Sequence, residues 1–304
     1  MHYLLNFPQF SAIHINMFQE VTDFCRNLDA GVSEFSFSNI YLDSQKYQYT
    51  IARLSNDTLI LAGESPAREF EGIDLSGKFF SIMGAPPSVE LVEGLFSQGY
   101  YWKNMTASIY EELGHQLEQR GYRVLEDRDN FDYLYRRTDL ASLQGKSFHK
   151  KKNLVNAFTA AYQSQIKPLD VYTLPEARLV LESWRKTRPE DDPGDFTQCA
   201  WALDHFQQFN FAGVLVYADG VPVGFSLGEF IQQGKMFVVL FEKGINSYKG
   251  VYQFVNRSQA LNLPATVELI NREQDLGNPG LRQAKMTYRP VDFTKKFLVI
   301  PASR

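Results

Sequence analysis

Apolar positions along the chain recur with two periods, one helical and one strand-like, and the succession of the two runs through twice. In the first half it predicts a helix over about Met17–Leu28, then strands at Tyr47–Arg53 and Thr58–Gly63 joined by the turn Ser55-Asn-Asp57. A strand at Lys78–Met83 follows, then helices at Ser88–Ser97 and Ala107–Arg120 and strands at Arg123–Glu126 and Phe131–Arg136. The second half predicts a strand at Leu169–Tyr172, helices at Pro175–Lys186 and Gln198–Phe209, and strands at Ala212–Ala218 and Val221–Phe230 around the turn Asp219-Gly220. It closes with a strand at Lys235–Glu242, a helix at Tyr252–Asn262 and a strand at Ala265–Ile270. Each half carries a helix, antiparallel strands, a strand feeding a helix, and a final strand and loop, for which internal duplication is the simplest account. The expected class is α+β, divided into a domain over residues 1–145, a basic linking helix over 146–166 and a domain over 167–304.

Composition allows this division. With 304 residues, 44% hydrophobic and 14% aromatic, the chain can fill two cores. The net charge of -4 exerts no global pull toward nucleic acid or an anionic membrane, so a tRNA partner requires a local basic patch. No apolar run approaches the roughly eighteen residues of a membrane span, and Met1–Phe10 lacks the basic start and apolar stretch of a secretion signal, so a cytoplasmic location is expected. Cys25 and Cys199 lie far apart in helix-like patterns and read as small buried hydrophobes. His2, His14, His115, His149 and His205 have no partners at ligand spacing, so no metal site is expected. Phosphate-loop, dinucleotide and serine-hydrolase glycine motifs are absent.

Two basic or polar segments stand out chemically. Lys146-Ser-Phe-His-Lys-Lys-Lys-Asn153 concentrates charge on Lys146, His149, Lys150, Lys151 and Lys152 beside Asn153, a local field suited to tRNA phosphates, a phosphorylated substrate or an anionic head group. The same run also reads as a solvated helix start. Asn271 to Pro290 places six charged side chains and two glycines immediately beyond an apolar strand, where loops present groups to ligands. Arg282 and Lys285 share a face if the segment turns helically, and Asn271, Arg272 and Glu273 sit at the strand's mouth. The acidic stretch Pro189–Asp195 fits either an exposed linker or a receptor for a cationic group.

These segments also carry a resemblance. Asn271-Arg-Glu-Gln-Asp-Leu-Gly277, Gly280-Leu-Arg282, Ala284-Lys285 and Tyr288-Arg-Pro290 resemble the signature of the phosphatidylglycerol lysyltransferase C-terminal domain family. Phe35-Ser-Phe-Ser-Asn-Ile-Tyr41, Gly145–Asn153 and Lys249-Gly-Val-Tyr-Gln253 resemble further segments of that family, so the likeness spans most of the chain. One departure is Asp43, which stands where the resemblance leads one to expect a Trp shortly after Asn39-Ile-Tyr41. The resemblance implies two tandem acyltransferase-like (GNAT-type) domains, each a mixed, mostly antiparallel sheet flanked by helices. In membrane-bound relatives it implies transfer of an aminoacyl group from charged tRNA to a lipid head group; without a membrane-embedded domain in this sequence, a lipid acceptor becomes less expected.

In such a fold the fourth strand parts from the fifth, and the following helix points unpaired amides into the gap. In the second half this is Lys243–Val251, which departs from the usual acetyl-coenzyme A loop because Tyr252 stands where a second small residue is expected. In the first half it is Met83–Ser88, where Pro86 and Pro87 remove two donors, as in a structural or acceptor-binding copy. For a transfer reaction Glu273, Asp275, Arg282 and Lys285 are the candidate catalytic residues, as anion partners or base. Asn271, Arg272, Tyr248, Lys249, Gly250, Tyr252, Gln253 and Tyr288 are the candidate substrate contacts. A pairing of Asp275 with Arg282 that merely holds the loop is an equally simple reading. Three classes stay open: an aminoacyl- or acyltransferase using aminoacyl-tRNA or acyl-CoA with a small-molecule acceptor; a binding protein for a small anionic or amino-acid-like ligand; and a tRNA-binding accessory factor. No cofactor is certain, and the oligomeric state is not legible.

Overall fold

The computed structural model describes residues 3–66, 68–192 and 194–301; His2 and Pro193, named above, lie outside them. The chain divides into two compact units, one running up to Asp132 and resuming at Thr294, the other Tyr133–Phe293.

The first unit contains β1 (Ser11–Ala12), α1 (Phe18–Cys25), α2 (Phe37–Tyr47), β2 (Thr50–Ser55) and β3 (Thr58–Ser65). A small hairpin of β4 (Glu69–Phe70) and β5 (Ile73–Asp74) precedes β6 (Gly77–Gly84), α3 (Val89–Ser97), β7 (Tyr101–Thr106), α4 (Ala107–Gln119) and β8 (Arg123–Glu126). The second contains β9 (Asp132–Arg136), α5 (Arg137–Ser142), α6 (His149–Ala161), β10 (Ser164–Pro168), α7 (Leu174–Arg185), α8 (Phe196–Asp204), β11 (Ala212–Ala218) and β12 (Val221–Ile231). It continues through β13 (Met236–Gly244), α9 (Val251–Asn262), β14 (Leu269–Asn271), α10 (Pro279–Met286) and β15 (Asp292–Thr294), after which β16 (Lys296–Ile300) returns to the first unit.

The two main sheets share one plan. Their strand orders are β1-β2-β3-β6-β7-β16-β8 and β10-β11-β12-β13-β14-β9-β15. In each, one parallel pair, β6 with β7 or β13 with β14, brackets a helix, and the strand beyond it pairs antiparallel. That strand is supplied from far away in sequence: β16 inserts between β7 and β8, and β9 pairs with β14. This exchange is why the observed units do not divide at residues 145 and 167. Periodicity identifies a strand at Phe131–Arg136 but contains nothing about its partner, and the 146–166 segment, read as a basic linking helix, contains α6. Its helix α6 buries Val155 and Phe158 against Val251, Phe254 and Val255 of α9.

Local chemistry explains the other departures. Tyr47–Arg53 begins as helix because Ser36 caps α2 through a hydrogen bond from Asn39 N, and Gln48 ends it in the left-handed conformation. The strand expected at Leu169–Tyr172 lies instead at Ser164–Pro168, since Asp170 Oδ1 accepts from Tyr172 N at 2.9 Å and Thr173 N at 3.0 Å and folds the next residues into a turn. Ala265–Ile270 is shortened to Leu269–Asn271. In the first unit Ile60, Phe80, Ile82, Val92, Phe96 and Trp102 belong to one apolar cluster. One group of buried charges is closed on itself: Lys296, fully buried, donates to Asp132 at 2.8 Å and to Glu34, and Ser33 donates to Asp132 through both N and Oγ.

Candidate active site at the parting of two strands

Strands β13 and β14 pair only over Met236–Val238 and Leu269–Asn271. Beyond this β13 runs on to Gly244, while the chain after Asn271 turns away through Glu273 and Leu276, both with positive φ (53° and 52°). The turn is held by its own polar groups. Asn271 Oδ1 accepts from Glu273 N at 2.7 Å. Asp275, fully buried, accepts from Arg282 Nε and Nη2 at 2.9 Å each, from Gly277 N at 2.9 Å and from the Tyr133 hydroxyl. Burial opposes its ionisation, but the Arg282, Tyr133 and Gly277 hydrogen bonds outweigh burial and bring the carboxyl down to about 2. Lys285 Nζ donates to the carbonyls of Arg272, at 2.6 Å, and Gln274. Asn278 caps α10 through Leu281 N at 3.0 Å.

The turn aims Arg272 into the gap. Its guanidinium donates to both oxygens of Glu242 at 3.2 Å and lies 4.9 Å from the Tyr288 ring and 5.9 Å from that of Tyr135. Both side chains of the pair are largely withdrawn from solvent, at 15% and 12% exposure. Burial acts most strongly against the charge of Arg272, yet Glu242 together with Tyr288 and Tyr135 outweighs it and the guanidinium is held more firmly protonated. Burial pushes the Tyr288 phenol up to about 12 and raises Tyr135 as well. Lys151 Nζ sits 4.1 Å from the centre of the Tyr288 ring, and burial together with Arg272 pulls its pKa down.

Two glycines bring α9 onto this part of the sheet. A Cβ on Gly224 would lie 2.7 Å from Val255, and one on Gly244 2.9 Å from Val251. Beneath the helix Asn256 donates to Glu242 at 3.3 Å, but Asn256 Oδ1, Ser226 Oγ and Gln259 Oε1 are buried with no hydrogen-bond partner among the described residues. Buried polar atoms are rarely left so, and their grouping beside an ion pair marks a place for a polar ligand or water.

Next to Lys151 opens a pocket of about 510 Å³ lined by Lys146, Lys150, Lys151 and Arg289, with Ser147, Gln283, Thr287, Leu154 and Met286. Four cations and no carboxylate line it. His149, Lys152 and Asn153 are exposed and outside that lining.

The remaining sequence candidates fall at the helix entry. Gly250 starts α9 with φ 87°, and a Cβ there would lie 2.3 Å from Leu154 O, so α6 approaches closely. Tyr252 donates to Gly244 O at 3.0 Å, Gln253 reaches Tyr288, Tyr248 packs 5.2 Å from Tyr162, and Lys249 is exposed. Lys243 turns to the opposite face and donates to both oxygens of Asp195 at 2.7 Å, which engages part of the acidic stretch internally. Sequence reading missed Glu242, Asn256, Ser226 and Tyr135. Only Glu242 left a trace, an acid directly after the apolar run Met236–Phe241. Among the described residues no group of His, Cys, Asp and Glu is arranged for a metal ion, and no helix is long and apolar enough to cross a membrane.

Two mixed sheets, each with a parallel pair bracketing a helix, give the GCN5-related acyltransferase-like fold, here with a polar cluster where the second parallel pair separates. The chain belongs to the family described as phosphatidylglycerol lysyltransferase, C-terminal, whose model matches residues 25–300. It is similar to a conserved protein of unknown function from Bacteroides thetaiotaomicron VPI-5482, with 25% identity over 96% of this chain and 99% of that one and a TM-score of 0.82. It also resembles L-PGS from Bacillus licheniformis (13% identity, 94% and 92% covered, TM-score 0.60) and FemX (9% identity, 97% and 98% covered, TM-score 0.60). No curated protein matches it. Family membership supports an aminoacyltransferase-like function.

Proposed function

We propose that the protein transfers an aminoacyl group from the ester of a charged tRNA to an amine or hydroxyl acceptor, with the reaction at Arg272 and Glu242. The observation carrying this reading is a buried, paired guanidinium beside unpartnered polar atoms, bordered by a cationic pocket. Lys146, Lys150, Lys151 and Arg289 suit the phosphodiester groups of the donor. The acceptor's nucleophile attacks the ester carbonyl, and Arg272, fixed by Glu242, stabilises the oxyanion that forms. The nucleophile's proton passes through water to the tRNA hydroxyl as the ester C–O bond breaks. Asp275, Arg282 and Lys285 act by holding the turn that aims Arg272. Acyl-CoA as donor has less support, since the pocket lies on α6 and α10 rather than at the entry of α9. The two like sheets are read as an internal duplication, and a cytoplasmic setting fits a tRNA substrate.

The test is to incubate the protein with each radiolabelled aminoacyl-tRNA and an extract of cellular lipids and small metabolites. Label should leave one class of tRNA for a new product; no release from any charged tRNA, with release from acyl-CoA instead, refutes the donor assignment.

A further inference from the structure

Three lysines are buried among the described residues, Lys103, Lys243 and Lys296. Lys243 meets Asp195, and Lys296 meets Asp132 and Glu34. The side-chain ammonium of Lys103, a residue 8% exposed, forms no hydrogen bond or salt bridge with any described residue; it rests 4.8 Å from the Tyr47 ring and 5.1 Å from that of Phe79. It follows Trp102, the last residue of β7 to pair with β6, and points to the α2 face of the first unit's sheet. Asp43 of α2 faces the same place, half-buried and also without a hydrogen-bond donor. Burial raises its pKa, with Lys46 and Lys103 opposing, so Lys103 and Asp43 feel each other without forming a salt bridge. Around them Tyr47 lies 5.3 Å from Tyr49 and 5.9 Å from Phe79, and Phe79 lies 5.8 Å from Tyr101.

We propose that this cluster binds a small zwitterion, its anionic end on Lys103, its ammonium on Asp43 and its carbon skeleton against Tyr47 and Phe79. A withdrawn cation and a neighbouring carboxylate, each lacking a hydrogen-bonded partner, are costly unless something completes them. Opposite charges held apart by the fold match a molecule carrying both, and aromatic faces suit an ammonium group or methylene chain. An α-amino acid has this chemistry, as does the phosphoethanolamine head group of a lipid.

Isothermal titration of the whole protein with glycine, lysine, glutamate and O-phosphoethanolamine distinguishes the sources, with N-acetylglycine and glycine methyl ester each lacking one charge. Saturable binding of a zwitterion is expected, the single-charge analogues and the Lys103→Met and Asp43→Asn variants each losing about ten- to a hundredfold in affinity. Arg272→Met should leave this binding unchanged. Without ligand, Lys103→Met should melt at or above the wild-type temperature, because it removes an unpaired buried cation. No saturable binding of any zwitterion, binding undiminished in both variants, or a lower melting temperature for Lys103→Met overturns the proposal.

Discussion

The two parallel strand pairs end in the same way and are used differently. Beyond Trp102 the chain bends at Asn104, with φ 57°, and beyond Asn271 it bends at Glu273, with φ 53°. Under α3 the first unit fills the place with Phe80, Ile82, Val92 and Trp102. Under α9 the second places Ser226, Glu242 and Asn256, with Arg272 aimed inward. Charges buried in the first unit's Lys296 cluster are satisfied within it, while the polar atoms beside Arg272 are not. One backbone device thus leaves buried polar atoms open in both units, Trp102 Nε1 and Asn104 Oδ1 in the first, and in the second sets them beside the Arg272–Glu242 pair.

The largest expected effect comes from opening the closed cluster. Lys296→Met leaves Asp132 and Glu34 buried without their cation and should cost about 3–5 kcal/mol in a chemical denaturation experiment. Next, Arg272→Met should lower the transfer rate about 10²- to 10³-fold in protein that still folds, with a lowered melting temperature because Glu242 is left withdrawn from solvent without its cation. Asp275 sharpens the comparison in a third way, since its charge supports a loop rather than a core. Its folded pKa, about 2, lies below the unfolded value, so its contribution of about 2 kcal/mol is complete above pH ~4 and is lost as pH falls through about 2. Asp275→Asn should destabilise the protein at neutral pH and flatten acid unfolding in that window. The smallest effect belongs to the pocket: Lys150→Gln should lower the slope of log affinity for tRNA against log salt by just under one.

Sequence patterning exposed most helices and strands because each buries one face at its own period. It could not show that β9 and β16 leave the sheets beside them in sequence, since partner choice depends on contacts between residues far apart. The signature turn was legible as polar residues beyond an apolar strand, and Arg272 was among them. Its partner was not, because Glu242 is 30 residues away on β13 and meets Arg272 only when the strands separate. Ser226 and Asn256 are ordinary in sequence and become informative only through burial without partners. Asp43 was noticed as a departure, but its relation to Lys103 depends on α2, a helix the pattern did not reveal.

The most direct test is single-turnover discharge of the charged tRNA that the protein accepts, comparing Arg272→Met with Ser88→Ala, which removes the side-chain cap of α3 in the first unit. The expected result is a loss of about 10²-fold or more for Arg272→Met and a rate close to wild type for Ser88→Ala despite a stability loss of about 1 kcal/mol. A wild-type rate in Arg272→Met would contradict the assignment of the reaction to the second unit.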